Sequence, residues 1–206
     1  MVLKTLYIVR HGQTDLNKQG IVQGRGMDTD LNDEGRKQAE QFFKAYGYLH
    51  FDKIYISMLK RTQQSIQPFI DKGIPFEKLS GLDELAWGVQ EGQPSTPETK
   101  AAYLSIMRKW TSGDLDAKFE GGESPLEVQA RQREAMAHIM SKPEEKNVLI
   151  CMHGRAMRML LCLLTDTPLT KMENFPHQNL VLYKLTFDGE KFTIVDFNNS
   201  IHLQYF

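Results

Sequence analysis

The stretch Leu6-Tyr7-Ile8-Val9-Arg10-His11-Gly12 decides how the rest of the chain is read. Four apolar or aromatic residues with strand preference run straight into a guanidinium, an imidazole and a glycine. Such a run reads as a buried strand whose chemistry begins where the strand stops. In open α/β sheets, ligands bind beyond that carboxyl end. The device recurs. Val148-Leu149-Ile150-Cys151-Met152 leads into His153-Gly154-Arg155, and Lys53-Ile54-Tyr55-Ile56 leads into Ser57, with Arg61 four residues on. If the three strands are parallel neighbours, two histidines and at least two arginines meet on one rim of the sheet.

Helical patterns alternate with these strands. Apolar residues at Ala39, Phe42, Phe43 and Tyr46 predict an amphipathic helix from Asp33 to Tyr46, capped near Asn32 and ended by Gly47. Ser57 reads as the N-cap of a helix holding Arg61, and Gly73-Ile74-Pro75 ends that helix. Residues 79–85 read as a short strand carrying Asp83-Glu84, followed by a loop with an exposed-looking Trp87. Ser95-Thr96-Pro97-Glu98 and Ser124-Pro125-Leu126-Glu127 are helix starts, the second a capping box. Residues 113–122 between those helices are charged and irregular, a candidate flap. Very apolar residues 157–164 predict a further helix. A terminal hairpin pairs residues 180–187 with 192–197 through Asp188-Gly189. The expectation is a single α/β domain over residues 1–206: an α/β sandwich with a mostly parallel central sheet and a C-terminal antiparallel hairpin. A helix-and-flap insertion falls at about 93–122.

A formal net charge of -1 argues against a general nucleic-acid binder, which would carry a basic excess. A small anionic substrate stays open, since a few arginines can cluster in a nearly neutral chain. No apolar run approaches bilayer length. The start, Met1-Val2-Leu3-Lys4-Thr5, goes almost directly into a strand and leaves no room for a signal peptide. Cys151 and Cys162, both in apolar elements, read as reduced core residues, which points to the cytoplasm.

The chemistry follows from the corner residues. A glycine after His11 lets backbone approach a ligand, arginine holds two oxygens of a phosphate, and neutral imidazole accepts a phosphoryl group. Arg61, near a helix N-terminus, adds to a field that favours an anion. Two histidines also suggest a metal. However, HxxxH, HExxH and CxxC spacings are missing from the sequence, and neighbouring arginines would repel a divalent cation. A metal is therefore not expected. His50, His138, His177 and His202 lack a matching corner and read as structural. A leaving alcohol needs a proton, and Glu84 is the first choice of general acid, with Asp83 and Glu91 behind it.

Several ordered stretches carry a resemblance to the phosphoglycerate-mutase-like branch of the histidine phosphatase superfamily. They are Arg10-His11-Gly12-Gln13-Thr14-Asp15-Leu16-Asn17, Gln23-Gly24, and Asp30-Leu31-Asn32-Asp33-Glu34-Gly35. After these come Ser57-Met58-Leu59-Lys60-Arg61-Thr62, Leu82-Asp83-Glu84 with Gly88 and Glu91-Gly92, Gly121-Gly122-Glu123-Ser124, and His153-Gly154. The resemblance covers nearly the whole chain. It implies that His11 is the nucleophile, that Arg10, Arg61, His153 and Asn17 bind the phosphoryl oxygens, and that Glu84 gives and takes the proton. It also implies a three-layer α/β/α sandwich, no metal and no organic cofactor. Gln23, Gly24 and Gly154 are expected to line the substrate site. The chain departs from many relatives at Gln13, where they carry glutamate.

The expected activity is hydrolysis of a small phosphorylated metabolite by a monomer or homodimer. Two alternatives remain: a cofactor-dependent phosphoglycerate mutase, and a non-catalytic phospholigand-binding protein. The mutase is disfavoured by the short segment between Gly92 and Gly122 and by Gln23-Gly24-Arg25-Gly26, which is unlike the mutase pattern. Trp87, Met27, Met58 and residues 96–120 are expected to wall the pocket.

Overall fold

The computed structural model describes residues 3–204. Met1 and Val2, the first residues of the stretch read as excluding a signal peptide, lie outside the described residues. Strands β1 (Lys4–Arg10), β2 (Lys53–Ile56), β3 (Phe76–Lys78), β4 (Asn147–Met152), β5 (Leu182–Phe187) and β6 (Phe192–Asn199) form one sheet in the order β3-β2-β4-β1-β5-β6. The first four are parallel, while β5 runs antiparallel to both β1 and β6. Thus β2, β4 and β1, the three strands ending in chemistry-bearing corners, are consecutive neighbours.

The central strands are apolar on both faces because helices cover both, as parallel sheets require. Leu6 and Ile8 of β1, with Val148, Ile150 and Met152 of β4, face one core. Helices α4 (Pro97–Thr111), α5 (Pro125–Met140) and α6 (Gly154–Leu164) contribute Trp110, Ile139 and Leu160 to it. Tyr7, Val9, Leu149 and Cys151 face the other, packed against Phe42 of α2 (Asp33–Tyr46) and Phe69 of α3 (Lys60–Asp71), while the short helix α1 (Asp15–Gln19) follows β1. The mostly parallel sheet is therefore as the alternating pattern predicts, and the three layers are as the resemblance implies.

Local signals place most helix ends. Asn32 Oδ1 accepts from Gly35 N at α2, and reciprocal capping boxes start α4 (Thr96 with Thr99) and α5 (Ser124 with Glu127). Pro68 sits inside α3 without ending it. Three expectations need correction. Ser57 is not the cap of α3. The helix starts at Lys60 after Leu59, which offers no side-chain cap; Ser57 lies two residues too early, its Oγ accepting from Leu59 N and lying 3.1 Å from Thr62 Oγ1 and 2.8 Å from His153 Nε2. The strand expected at 79–85 lies earlier, at Phe76–Lys78. Residues 80–82 make a 3₁₀ turn instead, since the sheet edge ends where Lys78 pairs with Ile56. Trp87 is buried, stacked among Tyr103, Trp110 and Phe119. The irregular segment after α4 lies against the body: Trp110 Nε1 donates to Ala117 O, and Val89 N donates to Glu120 O. Among the described residues no helix is long and apolar enough to cross a membrane.

Candidate active site

The register of β1, β4 and β2 aligns Arg10 with Met152 and Cys151 with Ile56, so their next residues leave the sheet on one rim. His11 and His153 consequently face each other, with ring centroids 5.1 Å apart. His11 is 3% exposed and His153 and Arg61 are fully buried.

His11 Nδ1 lies 2.7 Å from the carbonyl oxygen of Gly12. A carbonyl only accepts, so Nδ1 carries the hydrogen and the lone pair of the neutral ring resides on Nε2. Burial, reinforced by the Arg61 and Arg10 charges, drives the His11 pKa well below its ordinary 6.5. At neutral pH the ring is therefore uncharged, with Nε2 available as a nucleophile. Burial, then Arg61 and His11, likewise keep His153 neutral. Its Nε2 is 2.8 Å from Ser57 Oγ, and its Nδ1 is buried without a partner among the described residues.

The guanidinium groups are held from behind. Arg61 donates to Met27 O (2.6 Å) and Gly24 O (3.4 Å), so the glycine-rich loop grips it through backbone carbonyls. Arg10 Nη1 is 3.2 Å from His177 Nδ1. Since arginine can only donate, this nitrogen of His177 accepts and the ring proton sits on Nε2. Burial takes the His177 pKa to about 2, so it stays an acceptor. The Nε atoms of Arg10 and Arg61 are buried and unpartnered among the described residues. Together with His153 Nδ1, they leave the site with polar groups unsatisfied by protein, and such groups are costly to bury without a ligand or water. Asn17 Oδ1 accepts from Thr14 N and Asn179 Nδ2, leaving its Nδ2 as the remaining donor.

Glu84 stands at the N-terminus of α6. Its Oε1 accepts from Ala156 N (2.8 Å) and Leu85 N (2.9 Å), and its Oε2 from Arg155 N (3.1 Å). Its charge also supports the cationic forms of Arg10 and Arg61. The other two acids considered are occupied elsewhere. Asp83 accepts from Met58 N and Arg25, and Glu91 accepts from Trp87 N.

A cavity of about 450 Å³ opens beside this rim, lined by Arg10, Asn17, Gln23, Glu84, Gly154 and His177, together with Trp87, Tyr103 and Arg155. Gln23 reaches it with both polar ends already engaged, donating to Thr14 Oγ1 and accepting from Thr29 Oγ1. Gly24 does not line it; a Cβ there would fall 1.8 Å from Glu91 Oε1, so the glycine admits that carboxylate behind Arg61. Gly154 does line it, and a Cβ would sit 2.5 Å from His177 Cε1. Of the expected walls, Trp87 and the 99–104 face of α4 are present, whereas Met27, Met58 and residues 105–120 are not among the lining residues. His177 was misread as structural. The only sequence signal was its position just before the strand that pairs with β1.

The histidine phosphatase superfamily (branch 1) model matches residues 6–200. The chain belongs to this superfamily. Phosphoserine phosphatase 1 of Hydrogenobacter thermophilus is 27% identical over 202 residues, spanning 98% of this chain and 95% of that protein. A broad-specificity phosphatase of Saccharomyces cerevisiae is 29% identical over 212 residues, spanning 96% and 86%. Among solved structures, YhfR of Bacillus stearothermophilus superposes with a TM-score of 0.86 at 27% identity, over 98% of this chain and 100% of that one. A mycobacterial glucosyl-3-phosphoglycerate phosphatase in complex with VO3 superposes with a TM-score of 0.83 at 25% identity, over 96% and 100%.

Proposed function

We propose that this chain is a phosphomonoesterase that hydrolyses a small phosphorylated metabolite in two in-line steps. His11 Nε2 takes the phosphoryl group while Glu84 protonates the leaving alcohol oxygen. Water, deprotonated by the same carboxylate, then attacks the phosphohistidine and restores the ring. Arg10, Arg61, His153 and Asn17 hold the equatorial oxygens. Placement and charge are most of what a protein contributes to phosphoryl transfer. The duties a divalent cation would perform, alignment and neutralisation, fall here to the guanidinium groups, so turnover in a chelator is expected. The buried free cysteines support the cytoplasmic reading.

The observation that carries this reading is the His11 Nδ1 to Gly12 O bond. It leaves the Nε2 lone pair free, beside buried polar nitrogens of Arg10, Arg61 and His153 that have no partner among the described residues. The phosphatase names of full-length relatives support hydrolysis. The test is to trap an acid-labile phosphoenzyme from a labelled ester and to repeat the trap with His11→Ala. The variant is expected to lose the label and at least about 10³-fold in turnover. Substantial residual turnover would refute the nucleophile. Product analysis with 3-phosphoglycerate and a bisphosphate primer separates the activities, free phosphate supporting hydrolysis and 2-phosphoglycerate a mutase.

A further inference from the structure

The cavity has a second cationic end that the phosphoryl chemistry does not use. Arg155 gives its backbone N–H to Glu84, but its side chain leaves for the opposite wall. There Nη2 donates 2.7 Å to Tyr103 Oη, and the guanidinium lies 6.0 Å from the ring centroids of both Tyr103 and Trp110. Arg155 is 7% exposed and lines the cavity, and its Nε has no partner among the described residues. Its carboxylate partner, Glu173, is shared with Arg158, whose Nε is also buried and unpartnered.

Two guanidinium groups against one carboxylate leave one positive charge over. The crowding is felt: burial, then the Arg155 charge, brings Arg158 down to about 10. Lys100 adds a further cation to the lining, and the sole acid among the lining residues is Glu84, already held by three backbone N–H groups. Arg10 and Arg61 answer the phosphoryl dianion. A buried guanidinium short of counter-charge is unfavourable until an anion meets it, and its planar fork matches a carboxylate.

We propose that the end of the cavity formed by Arg155 and Lys100 binds a carboxylate on the substrate, so that the preferred substrates are small phosphate monoesters that also carry a carboxylate. This rests on the phosphoryl group being placed at His11. The planar fork of the guanidinium suits a carboxylate, and the aromatic wall of Trp87 and Tyr103 packs the carbon frame between it and the phosphoryl group.

The test compares kcat/KM within two pairs of esters that differ in the carboxylate: O-phosphoserine against O-phosphoethanolamine, and 3-phosphoglycerate against glycerol 3-phosphate. The carboxylated member is expected to be favoured by at least about tenfold in both pairs, the scale of a charged hydrogen bond. Arg155→Met and Lys100→Met are each expected to reduce that ratio. The Lys100 side chain is exposed on α4, so its variant keeps the test open if Arg155→Met does not fold. Wild-type hydrolysis of both members at rates within about threefold would overturn the carboxylate site and leave the phosphatase reading standing. Failure to hydrolyse any of the four esters or to form a phosphoenzyme would overturn both.

Discussion

Replacing Glu84 by glutamine isolates the proton-transfer step with little change of shape. In the native site the carboxylate accepts three backbone N–H groups, two on Oε1 and one on Oε2. A glutamine keeps the first two if its oxygen takes the Oε1 position, but its amide then meets Arg155 N–H donor to donor. One lost bond and one buried unsatisfied donor cost about 1–3 kcal/mol, or roughly 2–12 °C in Tm for a chain of this size. The catalytic loss is larger, about 10²–10⁴-fold on an alkyl phosphate, because the alkoxide must leave unprotonated. With 4-nitrophenyl phosphate the leaving group needs no proton, whereas hydrolysis of the phosphohistidine still lacks its base. Glu84→Gln should therefore release a burst of nitrophenolate close to one equivalent per enzyme and then turn over slowly, with phosphohistidine accumulating. Stopped-flow absorbance and acid-labile phosphate would read both. Slow steady release from both esters, with no burst and no phosphoenzyme, would sink the assignment of Glu84 as acid and base and leave it as a prop for α6.

The buried histidines make the protein acid-sensitive. His11, His153 and His177 have pKa values lowered in the fold, so below the unfolded value of about 6.5 the unfolded chain binds protons that the folded chain does not. Stability is then fully present above pH 6.5 and is lost as pH falls, with a slope approaching about 4 kcal/mol per pH unit for three groups. Urea titrations between pH 7 and 5 check this, and a flat profile would contradict it. Over the same range the nucleophile stays neutral, so kcat should show no acid limb near 6.5 while the fold survives. Gly154→Ala drives a Cβ into the His177 ring and loosens its contact with Arg10. It is expected to cost about 1–3 kcal/mol and to raise KM, with the double variant Gly154→Ala/His177→Ala recovering part of the stability. Simple additivity of the two single variants in thermal melts would argue against the contact.

What could be read directly from the chain was whatever local physics writes into adjacent residues. The helix at Asp33–Tyr46 and the strand at Lys53–Ile56 fall where periodicity, caps and a glycine stop put them. Runs apolar on both faces implied a parallel sheet covered on two sides, and from it followed the single rim that gathers His11, His153, Arg10 and Arg61. Other features depended on partners far away in sequence. Ser57 looks like a helix cap, yet the helix starts later and the serine hydroxyl lies against His153, just past the end of the neighbouring strand. Trp87 looks exposed until α4 and Phe119 close over it. The pattern around His177 gives no sign that Arg10 will lean on it, or that Gly154 is small to make room. Arg155 reads as part of the rim corner, and only packing shows its side chain held by Tyr103 and by Glu173, which it shares with Arg158. Sequence determined the rim because periodicity and caps act over a few residues. The residues that brace the site from behind and the far wall of the cavity were decided only when packing brought distant side chains within hydrogen-bond range.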